Sequence, residues 1–430
     1  MIRKAGYAIL AVLTYGILES LLLGYKYYII FVILTFFMVA FEVIYFNFAG
    51  SKAINNVSVT RNTDTLNFRK NREFKINLHF ENNNSHPMAI HFFDEAIDVL
   101  EISGKTLGTI TIPKKGIYDI SYSVTPRYIG KYELGNIKIN ISDQFHLASI
   151  EKTISMKMSM RIYPSMEDIK SSRSEMISSF IYTFGNHYSH NVGQGYNLYG
   201  IRPYTFEDDP RFIVWSKYNG EDNTILVKEM EEERQITTVF IIDYSIAMNY
   251  GSSDRVYDKT IVDIINSAHF MIKNRDNVGF FLYSDKINIY IPPDKSGESI
   301  NKLEGSVANI LPSGEFSISA AVKALERKQK KNFLIFVVTA STSHPDKSPH
   351  GNSMSIFLIN NESYYDYSPK GKFDDVLIEN IRLREMERMS MRVKEIRNYG
   401  IRCTYVTRKN MLTKIMMEYH YRRSMNAGAS

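Results

Sequence analysis

Two apolar runs at the amino terminus constrain this chain most. Ala5 to Leu23 and Tyr27 to Phe48 are almost unbroken by charge. Each holds about 20 residues, enough to cross a hydrocarbon core of ~30 Å as a helix. Inside lipid every backbone group must be satisfied, and a helix does this within a single segment. The two runs predict a transmembrane helical hairpin over residues 1–52, with spans at 5–23 and 27–48 and a short turn at Gly24, Tyr25 and Lys26. A cleaved leader would have a shorter apolar core and a small-residue cleavage site. Arg3 and Lys4 precede the hairpin, and Lys52, Arg61, Arg69, Lys70 and Arg72 follow it, against Lys26 alone in the turn. Basic flanks stay on the cytoplasmic side. The expectation is a two-helix, multi-pass membrane protein with cytoplasmic soluble domains and lipid as one partner. Glu19 and Glu42 fall near the span ends, where a side chain reaches the interface, although a carboxylate within a span is also a candidate for function. Tyr25, Tyr27, Tyr28 and Tyr45 suit an interfacial aromatic belt.

The remaining chain is long enough for two or three domains. The net charge is +6 over 430 residues, with Lys and Arg interleaved among Asp and Glu. That argues against a nucleic-acid binder, whose basic residues gather on one face. With a single cysteine, Cys403, neither an intrachain disulfide nor a multi-cysteine zinc site can form. Cys403 lies in the apolar run Ile401 to Val406 and reads as a structural thiol rather than a nucleophile.

Residues 53–165 show a period of two. Phe74, Ile76, Leu78 and Phe80 alternate with polar residues, as do Ile120, Tyr122 and Val124, and Ile137, Ile139 and Ile141. Ile154, Met156, Met158, Met160 and Ile162 read as one longer run. Turn clusters at Asn82 to Pro87, Pro113 to Gly116 and Arg127 to Gly130 divide them. Such spacing predicts a small all-β sandwich or barrel. Residues 166–199 read as a linker with a short helix from Ser174 to Phe184. His187 and His190 within it lack a third ligand for a metal site.

From residue 236 to 410, strand-like and helix-like segments alternate. Thr237 to Tyr244, Val278 to Tyr283, Ile287 to Ile291, Phe333 to Thr339 and Ile401 to Val406 read as strands. Val256 to Lys273, Ile318 to Leu325 and Asp374 to Asn398 read as helices, the last stopped by Gly400. This alternation predicts an α/β, Rossmann-type domain with a mainly parallel sheet. The polar stretch from Ser341 to Gly371 reads as a loop insertion, with an edge strand at Met354 to Ile359 and an exposed Ser363-to-Tyr367 cluster. The tail, 411–430, is basic and helical, and either packs on the domain or touches acidic lipid headgroups.

Between these parts, residues 200–235 hold the only tryptophan and two adjacent carboxylates. Arg202, Tyr204, Asp208, Asp209, Arg211, Trp215, Lys228 and Glu229, followed by the strand that ends at Asp243, resemble the core of the domain-of-unknown-function 58 family. A partial second match lies at Tyr128 to Gly135 and Asp143 to Leu147, where Ile129, Gln144 and His146 depart from the family pattern. Lys217 stands near a lysine of that pattern. The resemblance implies a membrane-anchored protein with a von Willebrand factor A (VWA)-like domain, working beside a MoxR-type AAA+ ATPase in assembly or maturation.

A VWA metal site uses DxSxS, a threonine and a later aspartate, hard oxygen donors suited to Mg²⁺. Here Asp243 and Ser245 remain. Ala247 replaces the second serine, Phe316 stands at the threonine position beside Ser317, and Ala340 stands at the last aspartate. Glu315 and Ser317 are possible substitutes. The resemblance therefore implies a degenerate site, with no cofactor expected and Mg²⁺ as the alternative. Asp208 and Asp209 read as loop braces, then as a docking surface, and last as a catalytic pair. No phosphate-binding glycine loop, Gly-x-Ser-x-Gly elbow or His-Glu-x-x-His helix occurs. The expectation is a non-enzymatic adaptor that binds the ATPase and a protein client. The alternatives are a Mg²⁺-dependent adhesion-type module and, behind it, a hydrolase using Asp208, Asp209 or Asp243.

Overall fold

The computed structural model describes residues 4–24, 26–143, 146–171, 192–217, 225–231, 235–251, 254–329, 333–341, 343, 345, 353–366 and 372–426. The chain divides into two units, Met1–Tyr163 and Pro164–Ser430. The expected helix from Ser174 to Phe184, together with His187, His190, Gln144 and Tyr367, lies outside the described residues.

The first unit opens with helices α1 (Lys4–Leu23) and α2 (Lys26–Asn55). Among the described residues one helix is long and apolar enough to cross a membrane, the 27-residue stretch Ile29–Asn55. The apolar part of α1, Tyr7–Leu23, is shorter. At 1.5 Å per residue it reaches only about 25 Å, less than the ~30 Å of a hydrocarbon core. One span of the expected pair is thus shown among the described residues, and the second is not.

The rest of this unit is all β. Its strands are β1 (Val57–Thr63), β2 (Phe68–Arg69), β3 (Phe74–Asn82), β4 (Met88–Asp94), β5 (Leu100–Ser103), β6 (Leu107–Ile112), β7 (Gly116–Pro126), β8 (Gly130–Leu134), β9 (Ile137–Ser142), β10 (Ser149–Ile154) and β11 (Met158–Tyr163). They form sheets in the orders β1-β3-β7-β5, β10-β9-β4-β6 and β2-β11-β8. Alternate residues of β3 and β4 are buried, as the period of two requires. The two larger sheets meet through Phe80 and Phe92, with ring centroids 5.4 Å apart.

A polar cluster is enclosed between them. Asp94 accepts from buried Arg61 and, at 2.6 Å, from the Tyr122 hydroxyl. Arg61 also donates to the carbonyls of Gly135 at 3.0 Å and Met156 at 2.9 Å. The latter bond falls where the expected run from Ile154 to Ile162 breaks. That run is two strands in different sheets, β10 beside β9 and β11 beside β8 and β2. A period of two continues across the break, so the sequence alone hides it.

In the second unit, β12 (Val192–Pro203) pairs antiparallel with β13 (Leu226–Glu231). β12 starts inside the stretch read as linker. Beyond it lies a six-stranded sheet of β14 (Thr237–Asp243), β15 (Asn277–Tyr283), β16 (Asn288–Asp294), β17 (Leu334–Thr339), β18 (Ser353–Ile359) and β19 (Arg402–Val406). The order is β16-β15-β14-β17-β18-β19, parallel except for the antiparallel edge strand β16. β18 is not the expected edge strand. It lies between β17 and β19, and six of its seven residues are buried, which explains its unbroken apolar run.

Helices α3 (Val256–Lys273), α4 (Glu298–Asn309), α5 (Ile318–Lys328), α6 (Lys372–Asn398) and α7 (Met411–Asn426) complete the unit. Leu325 of α5 and Met389, Val393 and Ile396 of α6 pack with Val239, Ile335 and Val337 on one face of the sheet. Phe240, Phe336 and Phe357 form a ring ladder on the other, with centroids 5.5 and 5.3 Å apart. α7 joins that second face: Glu418 accepts from Ser355 at 2.7 Å, and Tyr419 meets Phe270 of α3 at 6.3 Å. Met411, Ile415, Met416 and Tyr419 are buried, so the basic tail contributes to the core. Gly400, at φ 75°, ends α6 in a conformation that favours glycine.

Candidate functional site

Successive parallel strands leave β14 in opposite directions, so the crevice at the carboxyl ends of β14 and β17 is a topological switch point, where sheets of this kind hold ligands. Asp243 ends β14 and Thr339 ends β17. The Thr339 hydroxyl donates to Asp243 Oδ2 at 2.7 Å, and the Ala340 amide donates to the same oxygen at 3.3 Å. Asp243 Oδ1 accepts from the Ser245 amide at 2.9 Å and its hydroxyl at 2.6 Å. Asp243 is 0% exposed and Ser245 2%. Burial pushes the Asp243 pKa up, and the bonds from Ser245, Thr339 and Ala340 oppose that rise. Four converging donors suit an ionised carboxylate, which only accepts.

The surrounding loops are tied down as well. Ser341 N donates to Thr339 Oγ1 at 2.8 Å, and Ser341 Oγ donates to the Phe316 carbonyl at 3.2 Å. Phe316 is buried, and Ser317 caps α5 by accepting from Ala320 N. Glu315 bonds through its backbone: its amide donates to Asp285 Oδ1 at 2.7 Å, and its carbonyl accepts from Asp285 N at 2.9 Å. Gly314 sits at φ 80°, and a Cβ there would lie 1.8 Å from Asp285 Oδ1. Only glycine fits that close approach. Among the described residues no group of three or more His, Cys, Asp or Glu could hold a metal ion.

The signature residues form a second cluster on the β12–β13 ribbon. Arg202 grips Asp208 with two parallel bonds, 2.7 Å from Nη1 to Oδ2 and 2.6 Å from Nη2 to Oδ1. Its Nε donates to Glu229 Oε1 at 2.7 Å. Asp208 also accepts from the Thr205 amide at 2.7 Å and hydroxyl at 2.9 Å. The guanidinium, then the Thr205 donors, hold the Asp208 carboxyl well below the usual range. Tyr204 joins the ribbon through its backbone, its amide donating to the Ile225 carbonyl at 2.7 Å. Asp209 caps the turn Pro210–Phe212 and pairs with Arg211 at 2.8 Å. The adjacent carboxylates therefore have different partners.

Around this brace the surface is apolar and open. Phe206 is 97% exposed, Trp215 65% and Phe212 37%. The Arg211 side chain is 87% exposed, and Lys228 and Lys217 also face outward. Asp243 makes its contacts with Ser245, Thr339 and Ala340 rather than with these residues. Thr339, which closes the Asp243 cluster, was missed as a site residue. Its one signal is a polar residue ending the apolar strand Phe333 to Thr339. Cys403 is 1% exposed, and burial pushes its thiol up to about 12, as for a structural cysteine.

Residues 200–348 match the model of the family described as "Protein of unknown function DUF58". The matched segment is about a third of the chain and holds both clusters. No curated protein matches the chain. Solved structures that match include a FixG-related protein from Vibrio parahaemolyticus, at 12% identity over 24% of this chain and 94% of the other, with a TM-score of 0.18. Another is PapD-like domain 7 of human CEP192, at 14% identity over 26% and 87%, with a TM-score of 0.20. A structural-genomics target, SoR45, matches at 11% identity over 25% and 86%, with a TM-score of 0.18. Likenesses of this size assign neither fold nor function.

Proposed function

We propose that this chain is a non-enzymatic, membrane-tethered adaptor. Its α/β unit serves as a VWA-like domain with a degenerate metal site and holds protein partners, a MoxR-type AAA+ ATPase and a client among them. The observation that carries this reading is the Asp243 carboxylate, whose oxygens already accept four bonds from Ser245, Thr339 and Ala340. A buried carboxylate held this way braces two strand ends and presents no free oxygen to a substrate. Five parallel strands with one antiparallel edge strand favour the VWA-like description. The exposed Phe206, Trp215 and Arg211 supply residue types enriched where proteins meet. The helix Ile29–Asn55 supplies the tether. In this reading Tyr7–Leu23 makes the second pass, with local thinning of the bilayer, and the soluble domains that follow α2 are cytoplasmic.

One observation favours the Mg²⁺-dependent alternative: three groups with hard oxygens lie together, the Asp243 carboxylate with the Ser245 hydroxyl on Oδ1 and the Thr339 hydroxyl on Oδ2. Pull-down of the full chain from mild detergent, with and without EDTA, separates the two. An AAA+ ATPase retained in EDTA, and retained by Asp243→Ala, supports the adaptor. Partners lost in EDTA and restored by Mg²⁺ support the metal-dependent module. No specific partner in either condition overturns both.

A further inference from the structure

Helix α2 keeps its apolar character to Phe48, and one side of its last apolar turns is bare. Phe41 is 70% exposed, Ile44 69%, Tyr45 61% and Phe48 83%. The other side is covered by protein. Val43, 7% exposed, clusters with Leu147 at 4% and Ala148 at 0%, and Val39 and Phe46 pack against them. Further along, a Cβ on Gly50 would lie 2.8 Å from Ile150 Cδ1 and 3.4 Å from Ile141 Cδ1, so the helix rests on β9 and β10. At its end, Lys152 Nζ donates to the carbonyls of Ile54 at 3.3 Å and Asn55 at 3.5 Å. The β9–β10 hairpin therefore runs back along α2 from Asn55 toward Val39, with its turn at the far end.

That turn is closed internally. The Ala148 amide donates to Asp143 Oδ1 at 2.8 Å, and Asp143 N and His146 N donate to carbonyls within the turn at 3.3 and 3.1 Å. Asp143 is 5% exposed, so its carboxylate faces protein rather than the surroundings.

The run from Tyr27 to Phe48 is roughly 33 Å long as a helix, already more than a hydrocarbon core of ~30 Å. Val43 lies five residues inside Phe48, about 7 Å deeper along the axis. Whatever touches Val43 then lies below the level at which α2 leaves the apolar layer. We infer that the described residues of the β9–β10 turn, Asp143 and His146 to Ala148, form a lipid-immersed foot seated beside α2 at the headgroup–acyl boundary, and that its partner is the phospholipid bilayer. The inference rests on the reading of α2 as a membrane span.

The neighbouring loops carry the complementary charge. Asn84 Nδ2 donates to the Ala53 carbonyl at 2.8 Å, and Lys115 N donates to the Asn84 carbonyl at 3.1 Å. The turn holding Lys114 and Lys115 thus sits beside the end of α2, near exposed Lys52 and some 10 residues, about 15 Å, above Val43. Lysines at that height meet headgroups, while the foot meets acyl chains.

The test places nitroxide labels on the full chain, in a Cys403→Ser background, within phospholipid nanodiscs. Collision rates with oxygen, which concentrates in lipid, and with a water-soluble nickel chelate give the depth. A label at Leu34→Cys should read mid-bilayer, one at His146→Cys should favour oxygen over nickel, and one at Lys115→Cys should read aqueous. An aqueous His146 label with a buried Leu34 label overturns the foot and leaves the span intact. An aqueous Leu34 label overturns both. The unsubstituted chain gives the same answer with a phospholipid carrying a photoactivatable group on its acyl chain. Adducts within 143–148 and on α2, but none at 113–116, are expected, and adducts on α2 alone overturn the foot.

Discussion

Thr339→Val tests whether Asp243 is an internal brace. The substitution keeps the shape of the side chain at the end of β17 and removes only the hydroxyl. Asp243 Oδ2 then loses its 2.7 Å donor, and Ser341 N loses its 2.8 Å acceptor. A hydrogen bond to a charged group contributes about 1.5–3 kcal/mol, and the half-exposed Ser341 amide adds at most about 1 kcal/mol. The expected loss is about 2–4 kcal/mol. At about 2–4 °C per kcal/mol for a unit of this size, the melting temperature should fall by roughly 4–16 °C. Thermal unfolding of the full chain in detergent, followed by Trp215 fluorescence, reads the second unit directly, because this is the only tryptophan. A fall below about 2 °C would refute the reasoning, since a fully buried ionised carboxylate cannot lose a donor at so little cost. Repeating the melt in Mg²⁺ and in EDTA separates brace from metal site. The unsubstituted chain should melt at one temperature in both, whereas a ligand of the folded state raises it.

Other substitutions probe the remaining contacts. Tyr419→Phe removes the hydroxyl that donates to buried Asp276, and should destabilise the second unit by about 1–3 kcal/mol in the same melt. Arg202→Lys replaces a planar fork with a point charge, so amide exchange across residues 200–208 and 226–231 should quicken while that of β14 and β17 stays unchanged. The Asp208 carboxyl is held below its unfolded value by Arg202, so its contribution is complete above pH about 4 and disappears as pH falls through the depressed folded value. Trp215 emission should follow that loss in acid, and Asp208→Asn should abolish this pH dependence. Cys403, buried and pushed up to about 12, should resist iodoacetamide in the folded chain at pH 8 and react once unfolded.

Much of the fold is legible in the residues. The helix from Val256 to Lys273 occupies the span its spacing predicts, and β17 and β19 lie where the apolar runs place them. The break between Ile154 and Met158 is not legible, because Arg61, nearly a hundred residues away, supplies the bond to Met156 that accompanies it. The placement of β18 is not legible either. An apolar run reports that both faces are covered, and only the pairing with β17 and β19 says by what. Of the candidate site, Asp243 and Ser245 could be named from the strand end, and Arg202, Asp208 and Glu229 from their pattern. Which carboxylate takes which guanidinium could not, since Asp208 and Asp209 are adjacent and chemically identical.

By itself the sequence determined the local, periodic matters: a membrane-length apolar helix, an all-β stretch with a period of two, an alternating α/β stretch, and a signature segment rich in Arg and Asp. These follow from backbone geometry and the removal of apolar surface from water, which act over a few residues at a time. Only the tertiary structure decided that Thr339 and Ala340 complete the Asp243 shell, that α7 belongs to the core, and that the β9–β10 hairpin lies along α2. Each of those joins residues far apart in the chain, and a hydrogen bond or a packed contact depends on distance in space, which sequence separation does not encode.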